Sequence, residues 1–110
     1  MMTSIEKSYV FKQTEAKTVE KIIEDEHVGV NHMVLRRGEA LPEHFTNSNV
    51  YMIVARGTIT LQLGGQEPHT YHSGSIINIP KNIKMNASNR DEATLEFFVI
   101  KAPSPPFYKA

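Results

Sequence analysis

An all-β sandwich or barrel is the fold class that this sequence predicts, and three observations predict it. Short apolar runs, several of them alternating with polar residues, recur from Val28 onward. Glycine or proline punctuates them at close intervals. Little of the chain carries a convincing helical period. The 110 residues suit one domain, residues 1–110, with its core over about 28–100, N-terminal strands within 8–27 and a proline-rich tail over 102–110.

The elements follow in order. Residues 1–16 are mixed and polar apart from Tyr9-Val10-Phe11. Residues 17–26 read two ways: Val19, Ile22 and Ile23 fit a helix face, and Val19 with Ile23 fits a strand. Val28 to Leu35 alternates, with Val28, Val30, His32 and Val34 on one face and Gly29, Asn31, Met33 and Leu35 on the other. The turn signal Arg37-Gly38-Glu39 ends it. Val50 to Val54 is apolar apart from the Tyr51 hydroxyl, the pattern of a strand buried on both faces, and Arg56-Gly57 breaks it. Thr58 to Leu63 puts Ile59, Leu61 and Leu63 inward, and Gly64-Gly65 reads as a hairpin turn. Tyr71 and then Ser75 to Ile79 resume the β pattern until Pro80, and a last strand spans about Thr94 to Ile100. The tail holds three of the six prolines, which suits an extended surface segment.

Composition narrows the function classes. Twelve basic and twelve acidic residues cancel. No charge excess draws in nucleic acid or an anionic membrane, and little opposes self-association. The absence of cysteine excludes disulfides and thiolate chemistry. The N-terminus has no apolar run, so no signal peptide is expected there, and no stretch reaches the length of a membrane span. A cytoplasmic protein is the expectation.

Two segments carry a spacing. Gly38, five residues, His44, Phe45, Thr46, three residues, Val50, six residues and Gly57 form the first. Gly74, five residues, Pro80, Lys81, Asn82, two residues, Met85, three residues and Asn89 form the second. This pair resembles the two motifs of the cupin family, whose fold is a jelly-roll barrel, or double-stranded β-helix. The resemblance covers about residues 28–100. The glycines fit turn conformations that a Cβ penalises, and Asn82 stands where the family has a glycine.

In the family, two histidines and a glutamate of the first motif and a histidine of the second converge on one metal ion. Here the corresponding residues are His44, Thr46, Val50 and Met85. A first-row divalent ion takes at least three nitrogen or carboxylate ligands, and this set offers one. No cofactor is expected.

The resemblance therefore implies a barrel that has lost most of its metal ligands and binds a small, mostly apolar molecule. His44, Thr46 and Asn89 would be its polar contacts, and Met52, Val54 and Met85 its walls. His32 joins them if its face of the strand points inward. The alternative is a metal-dependent oxygenase or isomerase with a relocated site built from His44, His32 and Glu96. A third reading uses His44 as base and Tyr51 as acid. His27, His69 and His72 lie near turns and read as surface residues. Cupins of this size commonly pair through an outer sheet face or by exchanging N-terminal strands, so a homodimer is expected. Whether the protein is an enzyme stays open at this point.

Overall fold

A computed structural model describes residues 4–109. Residues 1–3 and residue 110 lie outside the described residues.

Among the described residues nine strands form two antiparallel sheets packed face to face. They are β1 (Thr18–Glu24), β2 (Gly29–Leu35), β3 (His44–Phe45), β4 (Val50–Arg56), β5 (Thr58–Leu63), β6 (His69–His72), β7 (Ile76–Ile79), β8 (Lys84–Ser88) and β9 (Leu95–Lys101). One sheet has the order β1-β2-β9-β4-β7 and the other β3-β8-β5-β6. The jelly-roll architecture expected from the two motifs is the one observed. Among the described residues no helix is long and apolar enough to cross a membrane.

Alternation sets which side chains meet between the sheets. Met33, Leu35, Val50, Met52, Val54, Leu95, Phe97 and Val99 come from the five-stranded sheet, and Ile59, Leu61, Met85 and Ala87 from the four-stranded one. Phe97, Met52 and Ile59 are fully buried. Complete burial of one such side chain is worth about 1.5–3 kcal/mol.

Three expectations change. The ambiguous residues 17–26 form a strand, which pairs with β2 and shifts register between Lys21 and Ile23. Within 8–27 the described strand is this one, and the segment before it is tied on through side chains instead: Glu20 accepts from the Lys12 amide at 2.9 Å, and Arg56 Nη1 donates to Glu15 at 2.6 Å. β4 is buried on one face only, since Tyr51 and Ala55 on its outer face are exposed and Ile53 is half-buried.

Two turn positions show why the glycine frame persists. Gly57 has φ +76°, and a Cβ there would lie 2.5 Å from the Thr94 carbonyl oxygen. Neither the conformation nor the space admits a side chain. Asn82 is the one non-glycine residue with positive φ, at 66°, among the described residues. Asparagine tolerates this region better than most residues.

Candidate functional site

Thr46, Val50, Pro80 and Met85 lie toward the end of the barrel where β4 and β2 begin and β9, β7 and β5 end, whereas Gly38, Gly57 and Asn89 lie at the opposite end, beside the end of β2 and the start of β9. His44 is exposed, although it is the register partner of core-facing Met85 and so shares that face of the sheet at its edge. Its Nδ1 donates to the Pro42 carbonyl at 3.0 Å, which leaves Nε2 as the acceptor of the neutral ring. Val50 and Met85 are buried in the core.

Thr46 is buried, and its hydroxyl is already occupied. Oγ1 donates to the Pro80 carbonyl at 2.6 Å and accepts from the Ile83 amide at 2.9 Å. The Thr46 backbone bonds the same turn, with its N–H on Ile83 O and its carbonyl receiving the Asn82 N–H. Asn89 is likewise consumed. Its amide nitrogen donates to Leu35 O and Ala93 O, and its oxygen accepts from the Asp91 N–H. Neither is available as the ligand contact that the sequence suggested. Nor does this donor set suit a divalent ion, because Thr46 is spent, Val50 is a hydrocarbon and Met85 offers only a soft thioether.

His32 corrects a second expectation. The core face of β2 is that of Met33 and Leu35, so His32 lies on the outer face of the five-stranded sheet, although it is fully buried. Phe11 and Phe98 cover its ring, with centroids 4.6 and 4.9 Å away. Nδ1 is 2.7 Å from Glu20 Oε2 and Nε2 is 2.7 Å from Glu96 Oε2. Ionised carboxylates only accept, so making both bonds together puts a proton on each ring nitrogen. Glu96 also receives Arg56 Nε at 3.0 Å, and Arg56 continues to Glu15. The Lys12 amide and then His32 hold the Glu20 carboxyl below its usual value, and Arg56 does the same for Glu15.

Consequently the relocated set His44, His32 and Glu96 is not assembled: His44 is on the four-stranded sheet, and the other two face away from the interior of the five-stranded one. Among the described residues no three of His, Asp and Glu are placed to hold an ion. Tyr51 is exposed on the outer face of β4, so it does not meet His44 as an acid partner.

The barrel interior is filled by its own side chains, with Met52, Val54 and Met85 in the core cluster. Across the mouth lies the loop of residues 46–49. Thr46 ties it to the Pro80–Ile83 turn. Ser48 Oγ donates to the Pro103 carbonyl, and the Asn49 carbonyl receives the Ala102 N–H at 3.0 Å. Clefts open to either side of this clasp.

One is mostly apolar, about 550 Å³, and lies between the β5–β6 hairpin and β7. Leu63, Tyr71, Ile77, Ile79 and Ile83 line it, with Gln66, His69 and Asn78 as polar groups. The other is polar, about 260 Å³, with Lys21, Asn31, Asn47 and Lys101 in its wall. Neither set was read from the sequence. Both had a signal: Leu63 and Ile83 share the inward parity of Met85, and Lys101 ends the inward series Leu95, Phe97, Val99.

No family model matches the chain. An uncharacterized protein of Methanocaldococcus jannaschii is 50% identical over 102 residues, covering 92% of this chain and 88% of its own length. A crystal structure from the same organism, described as an RmlC-like cupin family protein with a double-stranded β-helix fold, superposes with a TM-score of 0.91 at 48% identity, over 94% of this chain and 96% of the other. A Klebsiella pneumoniae protein with a double-stranded β-helix domain gives 0.75 at 17% identity, over 93% and 92%. A cupin superfamily protein of Desulfitobacterium hafniense gives 0.71 at 7%, over 86% and 84%. The last two likenesses speak for the fold alone.

Proposed function

The chain belongs to the RmlC-like cupin family, and from that premise we propose that it binds a small, mostly apolar molecule without a metal, in the cleft beside the mouth rather than in the barrel interior. The observation that carries this reading is the cleft itself: about 550 Å³ walled by Leu63, Ile77, Ile79, Ile83 and the Tyr71 ring. That volume falls in the roughly 300–1,000 Å³ range of small-molecule pockets, which are mostly apolar with a few placed polar groups. His69, Gln66 and Asn78 supply those groups. Asn78 is held in place by its bonds to Asn49 Oδ1 and Val50 O, both 2.9 Å. No reaction is assigned to the cleft.

Fluorescence titration with the apolar dye N-phenylnaphthylamine tests this reading. Saturable binding of one dye per chain is expected, and Ile83→Trp, which fills the cleft from a partly buried wall position, should abolish it while circular dichroism stays unchanged. Dye binding that survives the substitution, or that never saturates, sinks the proposal.

A second reading concerns assembly. The outer face of the five-stranded sheet carries exposed Ile76 and Tyr51 with half-buried Ile53, Phe98, Ile100 and Val30 beside them. An apolar face of this kind favours a second copy of the chain as its cover. The proposed homodimer is checked by light scattering on the eluting peak: a dimer mass is expected, shifting toward monomer in Ile76→Lys.

A further inference from the structure

The polar cleft has the composition of an anion site. Gly29, Lys101 and Val50 are register neighbours on the inward side of the five-stranded sheet, and Lys21 pairs with Asn31 one step along. Lys101 is therefore half-buried at the barrel mouth, beside the position where the family's motif carries glutamate. Among the described residues its ammonium makes no ion pair. Burial first, and then the like charge of Lys21, pull the Lys101 pKa down, and Glu24 opposes this. Glu24 also lines the cleft, but its carboxylate is 3.4 Å from Lys21 Nζ.

The remaining groups are donors without use. The side-chain amides of Asn31 and Asn47 line the cleft and make no side-chain hydrogen bond among the described residues. Ser104 is fully buried behind the wall, and its hydroxyl has no partner. A Cβ on Gly29 would stand 3.5 Å from that oxygen, so Gly29 is the layer between the cleft and the hydroxyl. A half-buried ammonium without an ion pair is costly for a fold to keep, and with a second ammonium and two side-chain amides beside it one negative ligand could satisfy it.

We propose that this cleft binds a small oxyanion, a phosphate or the carboxylate of a short organic acid, on Lys101 and Lys21 with Asn31 and Asn47 as further donors. The volume of about 260 Å³ is below that of drug-sized pockets, which limits the ligand to an ion or a few-carbon acid. Bound there, the anion also touches the mouth loop through Asn47 and lies against the tail at Pro105 and Pro106.

The test is a titration of the full chain, at constant ionic strength, with inorganic phosphate in one arm and propionate in the other, read by amide NMR. Saturable shifts centred on Gly29, Asn47 and Lys101 are expected in at least one arm, and the responding arm identifies the ligand class. Lys101→Met should weaken binding about tenfold or more. Asn47→Ala, a change at an exposed loop position, keeps the test decisive if the first variant does not fold, and should also weaken binding. Shifts that never saturate in either arm, that centre elsewhere, or that are unchanged in the folded variants overturn the proposal.

Discussion

Thr46 Oγ1 makes two bonds that no solvent can replace, since the residue is buried. Thr46→Val keeps the shape and removes both, leaving the Ile83 amide without that acceptor and the Pro80 carbonyl without that donor. A loss of about 1–3 kcal/mol is expected, read as a lower urea midpoint with unchanged slope. Gly57→Ala fails for a different reason. It forces a Cβ against the Thr94 carbonyl at positive φ, and should cost more than about 1 kcal/mol. The contrast shows what the sequence could tell at this scale. The need for glycine at 57 was legible from the motif spacing, because backbone conformation depends on residue type. That the hydroxyl at 46 was already spent, and the amide at 89 tied to Leu35, was not, because these partners lie 34 to 54 residues away in sequence.

Among the elements, β9 and the segment before β1 carry the sharpest consequences. Phe97 on β9 is fully buried at the centre of the core, so Phe97→Ala should destabilise by about 3–5 kcal/mol in the same urea assay. The segment at residues 11–15 is held by carboxylates instead. The Glu20 and Glu15 carboxyls lie below their usual value of 4.5, mainly through the Lys12 amide and Arg56 respectively. A lowered carboxyl contributes its bonding above the usual value and loses it as pH falls through the folded one. The contact of Phe11 with His32 should therefore persist at neutral pH and weaken below about pH 4.5, seen as collapse of the Phe11 ring shifts in NMR before the β-sheet signals change. Strand existence and approximate order were readable from alternation and turn residues. The inward face of β2 was not, since Val30 and Val34 compete with Met33 and Leu35 for the core. Only Phe11 and Phe98, closing over His32 from outside, allow a histidine with two carboxylates to be buried on the outer face.

For the whole molecule, the frame identified the barrel but left its use to surfaces. The interior is packed with its own side chains, so the proposed ligand sites are the mouth clefts and the proposed self-association surface is the outer sheet. If the proposed dimer forms, the thermal midpoint Tm should fall on dilution, which a stable monomer would not show. Because the donor set does not suit an ion, Tm in chelator and Tm with added zinc should coincide. A saturable rise with metal would speak for a site outside these residues. The clasp at residues 46–49 has a consequence for anyone redesigning this protein. Grafting the family's ligands back by T46H, V50E and M85H would delete the stitch that joins β3 to the Pro80–Ile83 turn and set a carboxylate into a hydrocarbon core. One side chain cannot both coordinate an ion and lock the door. A working metalloprotein on this scaffold therefore needs a replacement latch on the Pro80–Ile83 side first, because the bond from Ser48 to the Pro103 carbonyl already ties the loop on its tail side only.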